Sequence, residues 1–214
     1  MAECRICPRR CGVDRSAGET GFCGCGDTVR IARASLHLWE EPCISGTRGS
    51  GTIFFSGCNL RCVYCQNYEI SHGGKGRNVT LAQLADTMLD LQSQLAHNIN
   101  LVTPTHYTRQ IIDVLEEVKP QLFVPVVYNC GGYESPATID RLAGLVDVYM
   151  PDLKYFSPEL SEKYSGAKDY YMVAIEAIRR MRAQVGEPQY DENGIMTRGL
   201  LIRHLVLPGC RKDS

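Results

Sequence analysis

The chain has little that would carry it into a membrane or onto a charged polymer. No apolar run approaches the length needed to span a bilayer, so a helical membrane protein is not expected. Neither sign of charge is in excess. The 23 Lys and Arg stand against 24 Asp and Glu, which leaves no footprint for nonspecific nucleic-acid binding. The basic residues Arg5, Arg9 and Arg10 read as a solvated surface. The start, Met1-Ala-Glu-Cys-Arg-Ile-Cys, lacks the apolar centre of an export signal, and a cytoplasmic location is expected. Hydrophobic residues make up 44%, enough for a buried core and too many for a disordered chain.

Cysteine is what the chain has in abundance. There are 11 in 214 residues, and nine of them fall at positions 4, 7, 11, 23, 25, 43, 58, 62 and 65. In a reducing compartment, closely spaced thiols hold metals or do redox chemistry more often than they form bridges. The odd total also argues against a fully paired framework.

The organisation follows from punctuation and periodicity. Residues 1–30 are rich in Gly and Cys and poor in core residues, and read as a metal-binding segment. Residues 31–50 read as a connector, and 51–214 as the main domain. Within it, Thr52-Ile-Phe-Phe is a buried strand. Thr80 and Gln83 form a capping box that opens a helix over about 81–96. A strand follows at Ile99–Thr103, and a helix at Thr108–Val118 that Lys119-Pro120 stops. Further strands are expected at Leu122–Tyr128, Leu145–Met150 and Gly199–Leu207. Helices are expected from Ser135-Pro136 to Gly144, from Ser157-Pro158, and over about 169–184.

Buried strands alternating with helices imply parallel βαβ units, hence an α/β fold. Five parallel strands follow a Cys-rich lead. The sequence stops just after a strand that such a series would cover with a helix. A chain truncated at its C-terminus, or an edge covered by a partner, is therefore expected.

Cys58-Asn-Leu-Arg-Cys62-Val-Tyr-Cys65 sits on the loop at the C-terminal end of the first strand, where parallel sheets place their sites. Three thiolates satisfy three irons of a 4Fe-4S cubane and leave the fourth open for the amino and carboxylate groups of S-adenosylmethionine. Structural zinc is the plainer alternative.

At this motif the sequence resembles the radical S-adenosylmethionine superfamily. The stretch from Phe54 to Asn67 is more closely similar to the activating enzymes of glycyl radical enzymes, the pyruvate formate-lyase activating enzyme-like group. The resemblance covers about residue 46 to 214 and implies a partial (β/α)6 TIM-like barrel, with about five of its parallel strands present. It implies a radical oxidoreductase that cleaves S-adenosylmethionine reductively and takes hydrogen from a partner's glycine. An electron donor such as flavodoxin or ferredoxin and a glycyl radical enzyme are its implied partners.

The same resemblance assigns residues. Tyr64 matches the aromatic that packs near the adenine. Members usually carry a Gly-Gly-Glu-like turn that binds the methionine amino group. Here Val102-Thr103-Pro104-Thr105 stands there, with backbone carbonyls such as that of Thr103 left to serve and the acid missing. Lys154 is implied for the cofactor carboxylate, and Asp152 with Asn129 for the ribose or a monovalent cation. Asp152 and Lys154 alternate with Leu153 and so share a face. A buried Asp–Lys ion pair is the structural alternative. Arg203, a charge inside an apolar strand, is implied near a substrate or cofactor carboxylate or in an ion pair. His204 reads as structural. Cys43, Cys130 and Cys210 read as small core or loop residues.

Cys4, Cys7, Cys11 and Cys23 supply four thiolates where no core exists, so a metal would contribute the folding energy. Either zinc or a second 4Fe-4S cluster suits them, with Cys25 competing for the place of Cys23. Close relatives in the group begin with a similar cysteine pattern. Three readings stay open: glycyl radical activation, radical modification of another protein or a small molecule, and a non-catalytic iron-sulfur or zinc protein.

Overall fold

The computed structural model describes residues 3–213. Nine strands run in the chain order β1 (Val29–His37), β2 (Ser50–Phe55), β3 (Arg77–Val79), β4 (Ile99–Val102), β5 (Val126–Cys130), β6 (Val148–Leu153), β7 (Gln189–Tyr190), β8 (Met196–Leu200) and β9 (Arg203–His204). Between them lie the helices α1 (Pro42–Ser45), α2 (Tyr68–Ser71), α3 (Leu81–Ser93), α4 (Thr108–Val118), α5 (Pro136–Asp140), α6 (Pro158–Ser165) and α7 (Tyr170–Val185).

The strands form one sheet in the order β3-β1-β2-β4-β5-β6-β8-β7, with β9 continuing beside β6. β2, β4, β5, β6 and β8 pair in parallel, and β1, β3 and β7 add antiparallel edges. This is the α/β architecture that the pattern of buried strands implies, and the parallel order is consistent with the expected partial barrel.

Side-chain parity divides the sheet into two faces. Ile53, Phe55, Ile99, Leu101 and Val126 point outward and pack against Leu84, Met88 and Leu91 of α3 and Ile111, Val114 and Leu115 of α4. Tyr128, Cys130 and Tyr149 continue that face against Ala177, Met181 and Val185 of α7. The opposite parity faces the barrel interior. One rung there aligns Thr52, Asn100, Val127 and Val148, and the next aligns Phe54, Val102, Asn129 and Met150.

The helices begin where their caps place them. Thr80 accepts the Gln83 N–H at 3.1 Å while the Gln83 side chain accepts the Thr80 N–H at 3.0 Å, the reciprocal box that opens α3. α4 occupies the expected residues 108–118.

Several segments differ from expectation: the strand expected at Leu145–Met150 runs Val148–Leu153, and four others depart as follows. The stretch read as a connector carries most of β1, paired to β2 along six residues from Ile31 to His37, and then α1. The third parallel strand starts at Val126 because Pro125 has no N–H to give the ladder. The helix expected up to Gly144 ends at Asp140. The final strand is split: β8 stops at Leu200 and β9 resumes at Arg203, while a turn at Asp191–Gly194 folds β7 back onto β8.

The lead packs onto the C-terminal end of the sheet. Arg15 is buried there and donates to the carbonyls of His106, at 2.6 Å, and Gly26, at 2.8 Å. Arg9, expected in solvent, donates to the Asn59 carbonyl at 2.9 Å and lies 3.8 Å from the centre of the Phe22 ring. Cation–π stacking and a bridged carbonyl are what withdraw it from the surface. Among the described residues no helix is long and apolar enough to cross a membrane.

Candidate active site

β2 delivers the chain to Ser56, Gly57 and the cysteine loop. Gly57 has φ +87°, and a Cβ there would lie 2.3 Å from Cys25 Sγ and 2.7 Å from the Cys23 carbonyl, so only glycine lets the lead approach the loop this closely. The loop is then fixed from several sides. Arg61 and Val63 donate their N–H groups to Ser165 and Tyr164 at 3.1 and 2.9 Å, and Asn59 donates to the Tyr133 carbonyl at 2.6 Å. Leu60 is buried with Tyr133, Tyr155, Ala167 and Tyr170.

Each of the three thiols has a polar neighbour. Cys58 Sγ accepts the Leu60 N–H at 3.3 Å, Cys62 Sγ accepts the Ser165 hydroxyl at 2.9 Å, and Cys65 Sγ lies 3.2 Å from Ser71 Oγ. Burial pushes the Cys58 thiol up to about 12 and raises that of Cys62, and the Lys154 ammonium works against both shifts. Thiols held this way stay protonated until a metal displaces the proton.

Lys154 and Asp152 stand beside them. The Lys154 ammonium is 2.5 Å from Asp152 Oδ2, and the Arg203 Nε is 2.9 Å from Asp152 Oδ1. Burial works against the charge on Lys154, but Asp152 and the Cys62 sulfur outweigh it and hold Lys154 above the ordinary lysine range. Arg203 also donates to Asn129 Oδ1 at 2.6 Å. Asn129, Asp152, Lys154 and Arg203 thus form one connected group. The backbone frames it: the Tyr170 hydroxyl lies 2.8 Å from the carbonyls of both Gly131 and Asp152 and accepts the Lys154 N–H at 3.0 Å.

Thr103 takes a left-handed conformation, φ 57°, and donates its N–H to the Asn129 carbonyl at 2.8 Å. Tyr64 is half-buried and bonds through its hydroxyl to Tyr155, which reaches Ser165 Oγ at 2.7 Å and so joins the chain of hydroxyls that ends on Cys62. His204 binds the Leu153 carbonyl through Nδ1 at 2.7 Å and is exposed.

Three acidic residues of this region have no sequence signal. Glu40 and Glu41 reach Arg203 from the segment between β1 and α1. Glu134 is fully buried behind the Thr103 turn, accepting from Thr105 Oγ1 at 2.5 Å and from the Tyr128 hydroxyl at 3.2 Å. Burial pushes its carboxyl up to about 7, with Thr105 and Tyr128 opposing.

A carboxyl raised on folding stabilises the folded state below its unfolded value and loses that contribution as pH climbs through its folded value. Wild type is therefore expected to lose about 3 kcal/mol relative to Glu134→Gln between pH 4.5 and pH 7. Urea unfolding of both proteins at pH 5 and pH 7.5 measures the difference, and parallel pH profiles would show that Glu134 does not titrate there.

In the lead, Cys7 is buried and its thiol is pushed up to about 12 by burial, with Glu134, Cys23 and Cys11 near enough to add to the shift. Cys4 is tied by backbone hydrogen bonds to Val13 and Gly12. Cys25 is packed in the core, its Sγ 3.3 Å from the Ser56 carbonyl. Among the described residues, no three His, Cys, Asp or Glu side chains converge on a single-ion position. A zinc tetrahedron is thus not preassembled in the lead. A cubane asks for no such convergence, because each thiolate binds a different iron. The unpaired thiols of Cys58, Cys62 and Cys65, on one pinned loop beside a cation, fit a three-thiolate cluster.

Residues 52–190 match the family described as the Radical SAM superfamily. A protein of Methanocaldococcus jannaschii, itself described as uncharacterized, is 30% identical over 213 residues. That match takes in 96% of this chain, which spans 57% of the length of its relative. The family implies a 4Fe-4S cluster and S-adenosylmethionine as cofactors. Matched over more than half of its length, and with the three cysteines of its loop inside the matched region, the chain belongs to the radical SAM superfamily.

Proposed function

We propose that Cys58, Cys62 and Cys65 hold a 4Fe-4S cluster and that the protein is a radical enzyme acting on a glycine of a partner protein. When bound, the cluster supplies the electron that splits S-adenosylmethionine into methionine and a 5'-deoxyadenosyl radical, which takes the hydrogen atom. The observation that carries the reading is the loop itself: three unpaired thiols at the C-terminal end of β2, with the Lys154 ammonium acting on two of them. The similarity of Phe54 to Asn67 to the activating enzymes supports the choice of a glycine.

The chain's own residues do the positioning. Lys154 offers its ammonium to the cofactor carboxylate while Asp152 keeps it charged. Asn129 and Asp152, linked through Arg203, present oxygens to the ribose or to a monovalent cation. The left-handed turn at Thr103 presents backbone carbonyls to the amino group. Tyr64 closes the loop side beside the adenine. Eleven unpaired cysteines suit the reducing cytoplasm, with a flavodoxin or ferredoxin as electron donor. Cys4, Cys7, Cys11 and Cys23 are assigned to a second metal site.

The test is anaerobic. Reconstituted protein, a low-potential reductant and S-adenosylmethionine are mixed with a candidate glycyl radical enzyme. The expected results are 5'-deoxyadenosine and a glycyl radical signal in electron paramagnetic resonance. 5'-Deoxyadenosine without transfer to any candidate would move the target to another protein or a small molecule. No 5'-deoxyadenosine from a fully loaded cluster would remove the enzyme reading for this chain.

A further inference from the structure

Between β1 and β2, the short helix α1 sets Ile44 into the barrel interior, while Leu38 and Trp39 before it are exposed. Ile44 of α1 is fully buried with Val127, Val148, Met150 and Met196, the inward-facing residues of the sheet, and its carbonyl accepts Asn98 Nδ2 at 2.7 Å. Anchored there, α1 sends the residues just before it toward the barrel mouth. Glu40 Oε2 lies 3.4 Å from Asn129 Nδ2 and 3.6 Å from Arg203 Nη1, and Glu41 Oε1 lies 3.6 Å from the same nitrogen.

These contacts leave acceptors unused. A separation of 3.6 Å is beyond hydrogen bonding, and Arg203 gives its hydrogen bonds to Asp152 and Asn129 instead. Glu41 Oε2 is buried with no partner. Asn100, between the outward-facing Ile99 and Leu101, points into the same interior one rung below Asn129. It is fully buried, and neither of its amide atoms is bonded. Buried polar groups left this way are rare because each costs free energy.

The charge balance says what would complete them. Glu40, Glu41 and Asp152 face Arg203 and Lys154, three formal negative charges against two positive. Burial, with Glu41 adding and Arg203 opposing, pushes the Glu40 carboxyl up to about 7. An anion would meet three carboxylates. Among the described residues no three His, Cys, Asp or Glu side chains converge on one ion position here. A group with positive charge and several N–H donors matches both the excess charge and the unused oxygens.

We propose that Glu40 and Glu41 are specificity-determining residues that bind a cationic nitrogen group of the substrate, an ammonium or a guanidinium, in the barrel mouth beside Asn100 and Asn129. The assignment rests on the reading of that mouth as the place where a radical enzyme holds its substrate. 5'-Deoxyadenosine production by wild type, measured separately, shows whether that reading stands.

The probes are butylammonium, butylguanidinium and butyrate, added to anaerobically reconstituted wild type and followed by ligand-observed saturation-transfer NMR. Both cations are expected to bind and butyrate is not. In Glu40→Gln/Glu41→Gln the affinity for the cations is expected to fall about tenfold or more. Unchanged cation affinity in the double variant overturns the proposal. So does butyrate binding as tightly as butylammonium to wild type, a comparison that needs no variant to fold. An equal loss of S-adenosylmethionine affinity in the double variant would assign the two acids to the cofactor's own cationic groups and would also overturn it.

Discussion

Replacing Cys62 by Ala is expected to empty the loop of iron and reduce 5'-deoxyadenosine formation to background. A cubane held by three thiolates has no reserve ligand, and the pinned backbone around residues 59–63 cannot shift another sulfur into place. Ser165→Ala is the graded control. It removes only the hydroxyl 2.9 Å from Cys62 Sγ, and loss of such an outer partner costs roughly 10–100-fold in metal affinity or activity. Iron and sulfide analysis with the cleavage assay ranks the two variants. A Cys62→Ala protein with full iron and cleavage would remove the loop from the chemistry. Replacing Cys58, Cys62 and Cys65 together isolates the lead. About four remaining irons identify a second cluster there, zinc identifies a structural site, and neither removes the second metal.

How much of this could be read in the residues depends on where the information lies. β2 was legible because Thr52-Ile-Phe-Phe is apolar on both faces, and α3 because Thr80 and Gln83 supply both halves of its cap. The cysteine loop was legible because its ligands lie within eight residues of one another. β1 was not. Only Val29 and Ile31 alternate into the core, and the exposed Arg33 and Ala34 are strand residues because the edge of β2 offers them hydrogen bonds. Glu40 and Glu41 were equally hidden. Two acids before a proline have the composition of a solvated turn, and only the path of α1 through the barrel turns them inward. Asp152, Lys154 and Arg203 were visible as unusual residues, but their mutual pairing depends on the register of β6 against β9.

That pairing makes Asp152 the residue whose loss should do most harm outside the cluster. Its two oxygens face Lys154 at 2.5 Å and Arg203 at 2.9 Å, and the side chains of Asp152 and Lys154 are only 19% and 15% exposed. Asp152→Asn keeps the shape and one acceptor but strands Lys154 and leaves Arg203 only the more distant Glu40 and Glu41, for which the cost is about 3 kcal/mol. In a domain of this size that is a fall of about 6–12 °C in Tm. The pH dependence gives a second signature. In wild type, Lys154 lies above the ordinary lysine range, so its contribution is constant at neutral pH and is lost only as pH rises past that range. In the variant, burial acts with its main opponent removed and pulls Lys154 below the ordinary range. The unfolded state then binds more protons than the folded one, and stability should rise with pH toward the alkaline side. Adding Lys154→Met to Asp152→Asn should restore part of the lost stability, because it removes the charge left unpaired, but not the affinity for S-adenosylmethionine. Thermal melts between pH 6 and pH 9, with equilibrium binding of S-adenosylmethionine to each variant, separate the structural role of the pair from its role toward the cofactor. A single variant with unchanged Tm and unchanged affinity would show that the pair does neither.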